Sequence, residues 1–132
     1  MTKRILILLF LVHSVSYAMA NRPTLHWLEG IWAGTGGDVN STFNWTIKLT
    51  YSADESFIHL VYPSHNCGGS LKIISIETGK AVCLEDVNYG LGSCSSGLKV
   101  LIHQEPDGSI ILDYYLEGKT TMKSTATLKR IA

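Results

Sequence analysis

Outside its first twenty residues the chain holds four histidines (His26, His59, His65 and His103), three cysteines (Cys67, Cys83 and Cys94) and, among its acidic residues, the adjacent pair Glu85-Asp86. These side chains could bind a metal, attack a carbonyl or move a proton. A metal centre needs three or four ligands converging at about 2.0–2.3 Å. His65-Asn66-Cys67 puts two ligand types two residues apart, but no CxxC, HxxxH or HExxH spacing completes a set. Neither a metal nor a cofactor is expected. His59 alternates with Phe57 and Val61, which predicts a partly buried histidine with a satisfied hydrogen bond.

Catalytic arrangements are equally sparse. Ser64 adjoins His65, and neighbours on a strand or turn are expected to point apart, which would prevent a nucleophile–base pair. There is no GxSxG elbow, and the contexts of cysteine proteases are absent. Glu85 and Asp86 should alternate across a sheet, one inward and one outward. An inward Glu85 needs a partner, with Tyr89, Lys99 or a backbone amide as candidates. No catalytic residue is expected. The aromatic residues Trp27, Trp32, Trp45, Tyr51, Tyr62, Tyr89, Tyr114 and Tyr115 could line a ligand cavity or fill the core.

The elements that must position these residues are strands. Phe43, Trp45, Ile47, Leu49 and Tyr51 recur at spacing two, with Asn44, Thr46, Lys48 and Thr50 between them. That is the period of a half-buried strand. Runs rich in β-branched and aromatic residues follow at 57–62, 71–76, 81–87, 98–103, 109–116 and 122–131. Turn residues separate them at Ser52-Ala53-Asp54, Pro63-Ser64, Thr78-Gly79-Lys80, Pro106-Asp107-Gly108 and Glu117-Gly118-Lys119. Cys67-Gly68-Gly69 and Gly92-Ser93-Cys94 also read as turns. With Gly30 to Gly34 added, about eight antiparallel strands are expected, and only residues 24–29 resemble a helical turn. The fold class is all-β. A small up-and-down barrel is favoured over a two-sheet sandwich, because closure removes exposed edges.

Charge and length narrow the function classes. The 132 residues carry 11 basic and 11 acidic side chains and are 45% apolar, which suits one domain. Zero net charge argues against a protein that works by neutralising nucleic-acid phosphates. Lys3 and Arg4, the apolar run Ile5 to Val12 and the small residues of Ala18-Met19-Ala20 have the anatomy of a signal peptide. Residues 1–20 are therefore expected to be cleaved. Residues 21–132 would then form a single exported β domain, periplasmic or secreted, with 9 basic and 11 acidic residues and no membrane span.

Two stretches carry a resemblance. Tyr62-Pro63-Ser64-His65-Asn66-Cys67-Gly68-Gly69-Ser70-Leu71 resembles the YPS-x-x-C-G-G-x-L element of small extracytoplasmic β domains of bacteria. Some of those follow the membrane segment of bacterial serine/threonine kinases, and others are free secreted proteins. The second half of the pattern is matched by Glu85, Val87-Asn88-Tyr89-Gly90, Cys94, Gly97, Val100 and Ile102. The resemblance implies an extracytoplasmic location, a β fold and no particular reaction. Three cysteines allow three single bridges; the resemblance implies Cys67–Cys94, with Cys83 left as a free thiol. A fainter likeness joins Gly30-Ile31-Trp32 and Ser41-Thr42-Phe43 to the first strand of lipocalin and avidin barrels, where the tryptophan plugs one end.

The functional expectation is a non-catalytic binding domain for a small apolar molecule or a cell-envelope component. The alternative is an inhibitor or interaction domain pressing on an extracytoplasmic protein. Candidate binding residues are Trp32, Tyr62, His65, Glu85 and Tyr89. A cavity of at least roughly 300 Å³ with a few inward polar groups would mark the first function.

Overall fold

The computed structural model describes residues 23–132; the expected leader, residues 1–20, lies outside them. Eight strands follow in order: β1 (Gly30–Asp38), β2 (Asn44–Tyr51), β3 (Phe57–Tyr62), β4 (Cys67–Glu77), β5 (Lys80–Tyr89), β6 (Lys99–Gln104), β7 (Ile110–Tyr115) and β8 (Met122–Arg130). Each pairs antiparallel with the next, and β1 pairs with β8, closing an up-and-down barrel. The choice between barrel and sandwich is settled for the barrel. Among the described residues no helix is long and apolar enough to cross a membrane.

Alternation builds the interior. Ile47, Leu49, Ile58, Leu60, Leu71, Val100, Ile102, Ile110, Leu112 and Leu128 are all buried. Eight strands enclose a space that such side chains just fill. Phe43 departs from the expected pattern: it precedes β2 and is 53% exposed. His59 also departs. The face it shares with Phe57 points outward, so His59 is exposed and pairs with Glu55 at 2.6 Å instead of being half-buried.

Two strands are longer than their sequence indicates. β1 runs on from Gly34 to Asp38 through Gly36 and Gly37. A Cβ on Gly36 would lie 2.6 Å from Trp45 Cζ3 and 2.8 Å from Ala126 Cβ, so glycine here makes room for the indole. β4 begins at Cys67, and Cys67-Gly68-Gly69 is ladder instead of turn, paired with Tyr62, Val61 and Leu60. Gly68 leaves space on the outer face for the Tyr89 ring, whose hydroxyl would sit 2.6 Å from an added Cβ.

The two ends differ. At one, a short 3-10 turn (His26–Leu28) caps the barrel, with Leu25 and Leu28 buried beside Trp32. The Trp32 indole N–H donates to Leu28 O at 2.8 Å, and the Arg130 guanidinium lies 4.4 Å from the Trp32 ring centre. Arg130 also donates to the carbonyls of Trp27 (2.8 Å) and Glu29. The other end is reached by the β1–β2, β3–β4, β5–β6 and β7–β8 connections. Across it the β5–β6 loop is tied to β4 by a Cys67–Cys94 disulfide with Cα atoms 6.4 Å apart. Cys83 is a buried free thiol, its ionisation pushed up to about 12 by burial.

Candidate functional site

A cavity of about 190 Å³ lies at this second end. Strand parity aims its side chains. β2 supplies Trp45, β3 Tyr62, β5 Glu85 and β7 Tyr114. β8 supplies Lys123 and Ser124, and β1 ends there at Asp38. The 3-10 turn Pro63–His65 adds His65, and the disulfide-held loop adds Ser93, Cys94 and Ser95.

Glu85 is the chemical centre. It is 4% exposed, and Asp86 beside it faces outward. The Tyr62 hydroxyl donates to Glu85 Oε2, and the Tyr114 hydroxyl lies 3.0 Å from that of Tyr62. Since the Tyr62 proton is engaged by the carboxylate, Tyr114 donates to Tyr62, and the chain of donors ends at Glu85. Trp45 stands edge-on to both tyrosines, with ring centres 5.4 and 5.5 Å away and planes at 84° to each. Burial pushes the Glu85 carboxyl up to about 7, while the Tyr62 hydrogen bond and the Lys123 charge pull the other way. Burial also raises both tyrosine hydroxyls well above their ordinary value, reinforced by the charge of Glu85. A carboxyl near half-ionisation at neutral pH, in a concave site, is a candidate functional group.

The rim holds the remaining polar groups. Lys123 Nζ donates to Ser95 Oγ at 3.1 Å, and Ser124 Oγ donates to Asp38 Oδ1 at 2.7 Å. His65 packs edge-on to Phe43 with ring centres 4.9 Å apart. Its Nδ1 lies 3.0 Å from Ser64 Oγ, so the adjacent pair does meet, contrary to the expectation from strand geometry. The 3-10 turn is the reason: at three residues per turn its successive side chains are about 120° apart, less than the opposition of strand neighbours, which leaves these two within reach. Ser64 is held there by a reciprocal pair with Thr46, each backbone N–H donating to the other's hydroxyl oxygen at 2.9 and 3.1 Å. His65 Nε2 is buried without a partner.

Of the expected binding residues, the cavity gathers Tyr62, His65 and Glu85. It excludes Trp32, buried at the capped end, and Tyr89, which is 46% exposed on the outer face over Gly68. The expected partners of Glu85 are replaced by Tyr62, because Lys99 turns outward to lie 5.3 Å from the Tyr115 ring centre. Asp38, Lys123 and Ser124 escaped sequence reading. Their signal was positional: Asp38 pairs with Ser124 where β1 and β8 close the barrel, a contact between chain ends that local pattern does not report.

A larger groove, about 460 Å³, runs along the outer wall past Ile74, Val82, Leu84 and Leu116. It lacks a buried polar group, so the mouth cavity is the better candidate. Among the described residues no group of three His, Cys, Asp or Glu side chains is placed to hold a metal ion. No protein-family model matches the sequence, and no curated protein matches it either.

Proposed function

We propose that the chain is an exported, non-catalytic binding domain whose barrel mouth holds one small molecule against Trp45, Tyr62, Glu85 and Tyr114. The observation that carries this reading is the Glu85 carboxyl, buried in the cavity wall with a tyrosine hydroxyl as its hydrogen-bond partner. A buried acid lowers stability unless it is fully paired. A leucine at the same inward position would pack like its neighbours Leu71 and Val100. A ligand that needs an acid there accounts for it.

The cavity is smaller than the roughly 300 Å³ expected of a drug-sized ligand site. It therefore favours a compact molecule with a polar head and a short apolar body over an extended apolar one. Export is supported by the leader-like composition of residues 1–20 and by the Cys67–Cys94 bridge, a bond that persists in oxidising compartments. The bacterial extracytoplasmic pattern over Tyr62 to Ile102 points the same way.

A second reading has its own support. Tyr89 (46% exposed) and Leu91 (62% exposed) flank the loop pinned by the disulfide and offer a rigid apolar surface to a protein partner. The two readings separate in a fragment screen by saturation-transfer NMR. Ligand binding in the mouth predicts several weak binders to the wild type and their loss in Gly36→Val, which drives the indole of Trp45 into the cavity. Equal binding by both proteins, or none by either, removes the proposal.

A further inference from the structure

We infer that the ligand of the mouth cavity is a small organic monocation, such as an alkylammonium, held by the Glu85 carboxylate inside a wall of aromatic rings; this rests on the reading of that cavity as a ligand site. Three features of the site select a cation. The first is hydrogen-bond polarity. Tyr114 donates to Tyr62, and Tyr62 donates to Glu85, so both buried hydroxyl protons are already engaged. The deep end of the cavity thus presents acceptors, and an incoming group must bring the donor.

The second feature is the wall. Trp45 stands perpendicular to Tyr62 and Tyr114 with ring centres about 5.5 Å away, and Phe43 closes the side beyond. A cation stripped of water recovers attraction from such rings as well as from the carboxylate. The third is charge balance. The titratable groups that line the cavity with Glu85 are Tyr62, Tyr114, Asp38, Lys123 and His65, while Asp86 and Lys99 on the adjoining strand positions face outward. Two carboxylates, Glu85 and Asp38, face one ammonium, so these three groups leave one unmatched negative charge in the lining. That is the charge a monocation cancels. Lys123 is already counted in that balance: its charge acts on Glu85, and its ammonium hydrogen-bonds Ser95 at the rim without cancelling the second carboxylate.

Because Glu85 titrates near pH 7, the cation must displace a proton below that pH. Affinity should then fall about tenfold per pH unit, roughly 100-fold from pH 8 to pH 5. Isothermal titration of the purified domain with n-butylammonium, n-butanol and butyrate at pH 8 and pH 5 tests this. The expected result is at least tenfold preference for n-butylammonium over n-butanol at pH 8, with the pH dependence above. Glu85→Gln should erase both the preference and the pH dependence. Trp45→Leu, which leaves the carboxyl in place, should weaken n-butylammonium more than n-butanol. Butyrate or n-butanol binding as tightly as n-butylammonium would overturn the inference while leaving the cavity a ligand site. Persistence of the pH dependence in Glu85→Gln would assign it to His65 and overturn the role of Glu85. Silence from all three probes also overturns it, and the fragment screen then decides separately whether the cavity binds anything.

Discussion

Tyr62 on β3 donates its hydroxyl proton to Glu85 on β5, two strands away, across the inward register position of β4 that Gly69 occupies. Glycine lets β4 approach the β5 backbone there, where an added Cβ would collide with Asp86 O, and the Tyr62–Glu85 bond ties β3 to β5 at the barrel mouth. Tyr114 extends it to β7. The tyrosine works against burial by stabilising the charged carboxylate.

Removing that hydroxyl should therefore raise the acid further. In Tyr62→Phe the Glu85 carboxyl is expected to titrate above its wild-type value of about 7, followed by the pH dependence of its 13C carboxyl shift. The Tyr114 hydroxyl also loses its acceptor, and the variant should be less stable by roughly 1–3 kcal/mol. An unchanged Glu85 titration would show that the hydroxyl does not act on the carboxylate.

Stability should fall as pH rises through the same window. The folded-state value of about 7 lies above the ordinary 4.5, so the folded protein binds more protons than the unfolded chain between them. The contribution of Glu85 is complete below about pH 4.5 and is lost by pH 7 and above. At 1.36 kcal/mol per pH unit the loss is about 3 kcal/mol. Urea midpoints of wild type and Glu85→Gln should converge near pH 4.5 and diverge by pH 8, with the glutamine variant the more stable. Parallel pH profiles would mean that Glu85 is not held neutral by burial.

Core and mouth should separate by mutation. Leu49 is fully buried below the cavity, so Leu49→Ala should cost about 2–5 kcal/mol. Trp45 is partly exposed and lines the cavity, so Trp45→Ala should cost less than Leu49→Ala while removing fragment binding. Chemical denaturation paired with saturation-transfer NMR reads both quantities. The reverse order of stabilities would place Trp45 in the core.

Reduction should loosen the loop over the mouth. The Cys67–Cys94 bridge closes a separation of 27 residues, and the chain-entropy relation gives about 3–4 kcal/mol for such a loop. Cys67→Ser/Cys94→Ser should lose stability of that order. Non-reducing peptide mapping should join the Cys67 and Cys94 peptides and find Cys83 as a thiol that reacts only after unfolding. A cross-linked peptide containing Cys83 would refute the pairing.

Much of the fold was legible because it is written locally. The alternation of Trp45, Ile47, Leu49 and Tyr51 fixes the inward face of β2, and the turn residues separate the strands. The same parity put one of Glu85 and Asp86 inward without saying which, and the structure buries Glu85. Its partner was not legible, because Tyr62 lies 23 residues away and reaches Glu85 only through the register of β3, β4 and β5. The glycines misled for a related reason. Gly68 read as a turn residue and Gly36 lay beyond the expected end of the first strand, but each is a strand position emptied for an aromatic ring arriving from a neighbouring strand. Trp45 and not Trp32 reaches the open end because the β1–β2 register sets the two at opposite ends, with Trp45 against Gly36 and Trp32 against Leu49, and the 3-10 turn closes the Trp32 end.

The most direct test of the account asks where a small molecule binds. Amide and side-chain shifts of the isotopically labelled domain, followed during titration with any fragment found to bind, should move at the Trp45 indole N–H, at Tyr62, His65 and Tyr114, and in the loop around Cys94. The Trp32 indole N–H, bonded to Leu28 O at the capped end, should stay still. Shifts confined instead to the outer groove around Ile74, Leu84 and Leu116 would contradict the assignment of the barrel mouth as the binding site.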